Sequence, residues 1–232
     1  MPPSLQSQSP LAPTLSPTAA ATFFHTPRLL IRAVEDSDAD ASFIHALESD
    51  PTTHLVANGG LQKPRNRGMT QKFRDWLMND ALIGVIVCLK PNPDRDPSTS
   101  TPEHEISDEK SATPEPIGFM SLDHQFGPIH RSAVVGISVV ASQRAKGYGE
   151  EALRWLLRWG FQAGGLHRIE IGHFSWNEGA GRMYRRLGFE EEGRRKECFW
   201  FWGGWGDEVV LGMTEGRWRV LEGEREGREE AV

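Results

Sequence analysis

The sequence predicts a mixed α/β fold, a sheet in which antiparallel hairpins flank a β-α-β crossover. Three stretches carry that expectation. Leu82–Leu89 is a continuous run of β-forming apolar residues, the pattern of a strand covered on both faces. From Ala133 to His173 the pattern runs strand, glycine-containing turn, amphipathic helix, strand. Glu190–Trp202 and Asp207–Thr214 flank Gly203-Gly204, a hairpin signal.

Taken in order, Arg28–Ala33 reads as the opening strand. Asp36 or Ser37 caps a helix to about Glu48 with Phe43, Ile44 and Leu47 on one side, and Asp50-Pro51 ends it. Residues 52–70 fit no single pattern. Thr70–Asn79 carries Phe73, Trp76 and Leu77 at helical spacing. Leu82–Leu89, Ile117–Asp123 and Ala133–Val140 are strands, the last two joined around Gly127-Pro128. A strong helix follows to about Ala163, because Leu153, Leu156, Leu157, Gly160 and Phe161 fall at i, i+3, i+4, i+7 and i+8. His167–His173 is a strand. Asn177 opens a helix with Ala180, Met183, Tyr184 and Leu187 on one face, and Gly188 closes it in the left-handed conformation.

A chain of 232 residues suits one domain with appendages. Its 38% apolar content supplies a core, no apolar run approaches the ~20 residues of a membrane span, and the net charge of −6 lacks a nucleic-acid footprint. Cys88 and Cys198 make neither a disulfide framework nor a metal motif, so no metal is expected. Residues 1–24 hold no charged side chain and read as a disordered Pro/Ser/Thr/Ala-rich tail without the marks of a signal or transit peptide, which points to the cytoplasm. Residues 91–116 carry six prolines, seven acids and two bases and read as an acidic insert between two strands. Residues 220–232 read as a charged tail, leaving a domain at 25–219. With insert and tail removed the domain is near neutral, so the overall acidity says little about its site.

The chemistry concentrates in Gln143-Arg144-Ala145-Lys146-Gly147-Tyr148-Gly149 at the start of the long helix. Two glycines let backbone N–H groups close on a ligand, and the helix N-terminus adds about half a positive charge. Arg144 and Lys146 stand beside it. This suits a diphosphate. It is neither a Walker A loop, since no GK[ST] follows, nor a dinucleotide fingerprint, since the third glycine is absent. Glu150 and Glu151 also favour a first helical turn, which is the plain structural account of the same residues.

This loop resembles the (Q/R)xxGx(G/A) acetyl-CoA loop of the GNAT acetyltransferase superfamily. The likeness continues along 26–218: Thr26-Pro27-Arg28-Leu29-Leu30-Ile31-Arg32, His167-Arg168-Ile169-Glu170, the NxxAxxxYxxxGF helix from Asn177 through Ala180 and Tyr184 to Gly188-Phe189, Glu192-Gly193, Asp207 and Trp218 are similar to the RimJ/RimL-type branch. The resemblance implies a mixed, mostly antiparallel central sheet with splayed fourth and fifth strands, flanked by helices. It implies an N-acetyltransferase in which a primary amine, from a protein N-terminus or a small molecule, attacks acetyl-CoA directly in a ternary complex. Neither nucleic acid nor membrane enters as a partner, and the chain would act as monomer or homodimer.

The same resemblance assigns residues. Backbone of Ser138, Val139 and Val140 would pair with the pantetheine amides, and backbone of Arg144, Ala145, Lys146, Gly147, Tyr148 and Gly149 would hold the diphosphate. Asn177 would touch the cofactor arm, or simply cap its helix. Tyr184 would contact the cofactor and protonate the departing sulfur, or simply pack in the core. Residues 133–140 offer no carboxylate where many relatives carry a glutamate. Glu170 is the expected base, with Asp123, His124, His173 or a water chain as alternatives. A catalytically inactive CoA-binding module is the competing reading.

Phe199-Trp200-Phe201-Trp202 with Trp205 would place aromatics on both faces of a hairpin strand, as if both were covered by core or by a second copy, with a ligand wall as the alternative. Trp155 and Trp159 lie off the apolar stripe of their helix and are expected to pack under a loop or terminus.

Overall fold

The computed structural model describes residues 22–57, 59–91 and 114–229. One seven-stranded sheet is built from β1 (Leu29–Ala33), β2 (Ile83–Leu89), β3 (Glu115–His124), β4 (Ser132–Val139), β5 (Arg168–Phe174), β6 (Glu190–Phe201) and β7 (Gly204–Thr214). Its order is β1-β2-β3-β4-β5-β7-β6, and every pair is antiparallel except β4–β5. The helices are α1 (Asp38–Ser49), α2 (Pro51–Ala57), α3 (Arg67–Asn79), α4 (Tyr148–Arg158), α5 (Glu178–Leu187) and α6 (Glu215–Glu229).

Sheet alternation divides the core in two. On β2, Val85 and Val87 join the larger cluster under α4, α5 and α6, while Ile86 and Cys88 join a smaller one under α1 and α3 with Ile44, Leu47, Leu77 and Phe119. Burial on both faces explains why β2 is apolar at every position.

Several boundaries differ from expectation for local reasons. Asp50 ends α1, yet its carboxylate accepts the N–H groups of Thr52 and Thr53 (both 3.1 Å). Pro51, needing no N–H partner at the first helical position, therefore starts α2 rather than a loop. The helix expected to reach Ala163 widens into a π-helical turn at Trp159–Ala163. A β-carbon on Gly160 in that turn would lie 2.7 Å from Ile169 Cδ1 and 3.3 Å from the Leu122 and Leu166 methyls, so the turn's bare backbone rests directly on these side chains. Gly160→Ala is expected to cost about 1–3 kcal/mol by overpacking, read as a lowered melting temperature.

At the C-terminus, residues 220–229 are not a frayed tail but the end of α6. Trp218 stacks on Phe161 (5.4 Å), Leu221 packs against the larger cluster, and Arg225 donates to the Leu187 carbonyl (3.3 Å). These three, at helical spacing, give α6 the face its charge-rich sequence hid. At the other end, residues 22–24, assigned above to the tail, form a turn. Phe23 offers its carbonyl to Trp155 Nε1 (2.7 Å), and the Phe23 and Phe24 rings lie 6.4 and 6.0 Å from the indole. Trp155 thus packs under the N-terminal segment, as its off-stripe position suggested. The rest of that tail and the insert between 92 and 113 lie outside the described residues. Among the described residues no helix is long and apolar enough to cross a membrane.

Candidate active site

The turn between β4 and α4 is shaped by two left-handed residues, Ala145 (φ 59°) and Gly147 (φ 83°). Glycine suits the second, where a β-carbon would also press within 3.2 Å of Arg28 Nη2. The first helical hydrogen bond runs from Glu151 N–H to the Gly147 carbonyl (3.1 Å). The N–H groups of Tyr148, Gly149 and Glu150 are left without helical acceptors at the positive end of the helix dipole. A β-carbon on Gly149 would meet Met183 alone among the described residues, Sδ at 3.7 Å and Cε at 3.9 Å.

The turn is braced from behind by a residue the sequence reading did not single out. Arg28 donates to Glu151 Oε2 (2.6 Å) and to the Lys146 carbonyl (3.0 Å), and its guanidinium lies 4.6 Å from the Tyr148 ring centre. Thr26 Oγ1 also bonds Glu151 (2.5 Å). Arg144 is turned the other way. Its Nε donates to the Val139 carbonyl (2.9 Å) and its Nη2 to Thr53 Oγ1 (2.5 Å), tying the turn to α2. Burial pulls its pKa down, partly offset by Asp50. Lys146 Nζ donates to Gln143 Oε1 (3.0 Å). Both expected cations therefore serve the loop's shape with their side chains.

Strands β4 and β5 pair over only three positions, Ser132 with Arg168, Ala133 with Ile169 and Val134 with Glu170. Beyond them the strands part. In β4 the Val140 N–H bonds the Ile117 carbonyl (2.8 Å) and the Ser132 carbonyl accepts from Gln125 (3.2 Å). Backbone alternation then turns even-numbered residues to β3 and presents Ile137 and Val139 to the gap. Of the three residues expected to offer peptide groups there, Val139 faces the gap, while Ser138 and Val140 turn theirs to β3. The gap opens into a cavity of about 380 Å³. Of the expected residues it is lined by Ser138, Val139, Arg144, Ala145, Gly147, Gly149, Asn177 and Tyr184, and not by Val140, Lys146 or Tyr148. Val56 and Ala57 of α2, Ala180, Met183 and Arg186 of α5, and Ile137 and Glu150 also contribute to the wall. The α5 contributors follow Asn177 at helical spacing, a signal available in the sequence.

Arg186 reaches across to Glu150 Oε2 (3.0 Å), while Arg154 holds Glu150 Oε1 (2.7 Å). Burial works against the Glu150 charge, but these bonds outweigh it and keep its carboxyl below the usual range.

Tyr184 is 5% exposed and belongs to the larger core cluster, with His173 and Phe189 rings at 6.1 and 6.3 Å. Burial raises its pKa, so the phenol keeps its proton. Asn177 caps α5 through Ala180 N–H (3.3 Å) and donates Nδ2 to the Val56 carbonyl (3.1 Å), closing α2 onto the cavity.

Glu170 stands apart. Its carboxylate accepts Arg168 Nε and Nη2 on Oε1 (2.9 and 2.8 Å) and Gln125 Nε2 on Oε2 (2.6 Å), and it does not line the cavity. Asp123, His124 and His173 are likewise absent from the wall. His173 is buried, its Nδ1–H donating to the Phe174 carbonyl (2.9 Å), with Nε2 against Gly181.

The aromatic hairpin covers one face and exposes the other. Phe199 meets Phe174 (4.7 Å), and Phe201 stacks with Trp176 (5.6 Å) and His54 (6.4 Å). Trp200, Trp202 and Trp205 are 59%, 83% and 60% exposed, so the strand is not covered on both sides within this chain. Among the described residues no group of three or more His, Cys, Asp or Glu side chains could hold a metal ion.

Comparison with known proteins places this geometry. The family described as acetyltransferase (GNAT) domain matches residues 28–190. The uncharacterized N-acetyltransferase YoaA of Bacillus subtilis (strain 168) is 32% identical over 169 residues, 72% of this chain and 82% of its own length. The ribosomal protein uS5-alanine N-acetyltransferase of Escherichia coli (strain K12) is 30% identical over 104 residues, 45% of this chain and 54% of that protein. In fold, the chain is similar to the spermidine N-acetyltransferase from Vibrio cholerae solved with CoA and spermine, with a TM-score of 0.66, 21% identity and coverage of 83% of this chain and 99% of that one.

Proposed function

The chain belongs to the GNAT acetyltransferase family, and from that premise we propose that it transfers the acetyl group of acetyl-CoA to a primary amine, on a protein N-terminus or a small molecule, by direct attack in a ternary complex. The observation that carries this reading is one cavity uniting the helix start with its unpaired N–H groups, the parted strands and Tyr184. In this reading the N–H groups of Tyr148, Gly149 and Glu150 receive the diphosphate, and the peptide groups of Ile137 and Val139 receive the pantetheine amides. The amine lone pair attacks the thioester carbon, the carbon–sulfur bond breaks, and Tyr184 returns a proton to the sulfur. The amine must also lose a proton. With both Glu170 oxygens engaged outside the cavity, the base role expected there loses its support, and water is the simpler carrier.

Thiol release from acetyl-CoA, with spermidine and an alanine-starting peptide as acceptors, tests the reading. Release with either amine is expected. Tight acetyl-CoA binding with no release for either would favour the inactive CoA-binding module. The brace makes a separate prediction. Arg28→Ala frees the turn from Glu151 and Lys146 without touching the cavity wall. Acetyl-CoA affinity should fall roughly 3- to 10-fold, the scale of one charge-assisted contact at a partly exposed site, read by calorimetric titration.

A further inference from the structure

On the sheet face opposite Tyr184, the carboxylate of Glu208 on β7 lies against β5, next to the gap. Ile171 and His173 turn toward α5, where Ile171 shares the core cluster with Tyr184 and His173 approaches its ring, so the intervening Gly172 faces the other way. Gly172 lies two residues beyond Glu170, where pairing with β4 stops. The bond from Ser175 N–H to the Asp207 carbonyl (2.9 Å) sets the alternation that turns the Gly172 peptide group to the gap. A β-carbon there would sit 3.2 Å from Glu208 Oε1. Because Gly172 has none, the Glu208 carboxylate lies over the β5 backbone just past the point where β4 parts from it, outside the cavity wall described above.

Glu208 is also held with one oxygen to spare. Arg195 Nη1 donates to Oε2 (2.7 Å), and among the described residues no hydrogen bond is seen to Oε1. Arg195 is 69% exposed at its side chain and Glu208 23%, so the anchor is a hydrated cation that yields or shares readily. Neighbouring carboxylates on this face are committed: Glu170 to Arg168 and Gln125, and Glu192 to Arg168.

We propose that Glu208 receives the acceptor's ammonium group, holding it over Gly172 across the gap from Tyr184, and thereby selects acceptors that arrive as cations. The proposal rests on the acetyl-transfer reading above. Spermidine is the probe, titrated into the CoA-loaded full-length protein by calorimetry and then used in thiol-release kinetics. In Glu208→Gln the Kd and KM for spermidine should rise about 10- to 100-fold, the worth of a charge-assisted hydrogen bond, with acetyl-CoA affinity within about twofold. Glu208→Asp, which keeps the charge, should lose less. Equal spermidine binding by parent and Glu208→Gln, or none by the CoA-loaded parent, overturns the ammonium site. A parent that fails to bind acetyl-CoA would instead overturn the acetyl-transfer reading.

Discussion

Gly149→Val is expected to weaken acetyl-CoA binding by roughly 10²-fold, about 2.7 kcal/mol, in a protein that still folds. The two halves of that expectation have separate causes. Folding survives because a β-carbon at Gly149 meets only the end of the flexible Met183 side chain, at ordinary contact distance, and the position carries no left-handed strain. Valine in a helical turn costs less than about 1 kcal/mol relative to alanine. Binding fails because Gly149 lines the cavity beside the N–H groups of Tyr148 and Glu150. Two added methyl groups stand where a diphosphate must approach the backbone. The Gly147 position would be a poorer test, since its φ of 83° makes any side chain there strained whether or not a ligand binds. Calorimetric titration with a parallel melting curve separates the causes, and unchanged affinity in a folded variant would refute the cradle.

The turn that opens α4 was legible because its signals are local. Gly147, Gly149 and the amphipathic helix sit within a few residues of one another, as do the Asn177 cap and the left-handed Gly188 that bound α5. Pairings made at a distance were not legible. Arg28 reaches Glu151 across 123 positions, and nothing within either neighbourhood announces the contact. Which peptide groups of β4 face the gap was not legible for a related reason. Side-chain alternation tells which face a residue covers, but which edge its peptide group serves depends on where β4 and β5 part. Glu170 shows the same limit in chemistry. Its strand position was read correctly, whereas the Arg168 and Gln125 side chains that occupy both oxygens became visible only once the strands were assembled. Composition misled at α6, where charged residues outnumber the three positions that dock it.

Tyr184→Phe is expected to lower turnover by roughly 10²-fold, the low end for loss of a general acid, with acetyl-CoA affinity nearly unchanged. The substitution keeps the ring that packs beside His173 and Phe189 and removes only the hydroxyl, so the melting temperature should stay near the parent's. A second readout follows from burial. Burial disfavours the phenolate and raises the Tyr184 pKa above the ordinary 10.0. An acid must carry its proton to act, so its titration removes activity on the alkaline side. Since the folded pKa is raised, that loss should be absent at pH 10 and begin only above it. A pH–rate profile for the parent with no alkaline fall up to pH 10, paired with a Phe variant slowed at every pH, would fit the acid role. Parental turnover in Tyr184→Phe would leave the tyrosine as a core aromatic and move the proton donor to water within the cavity.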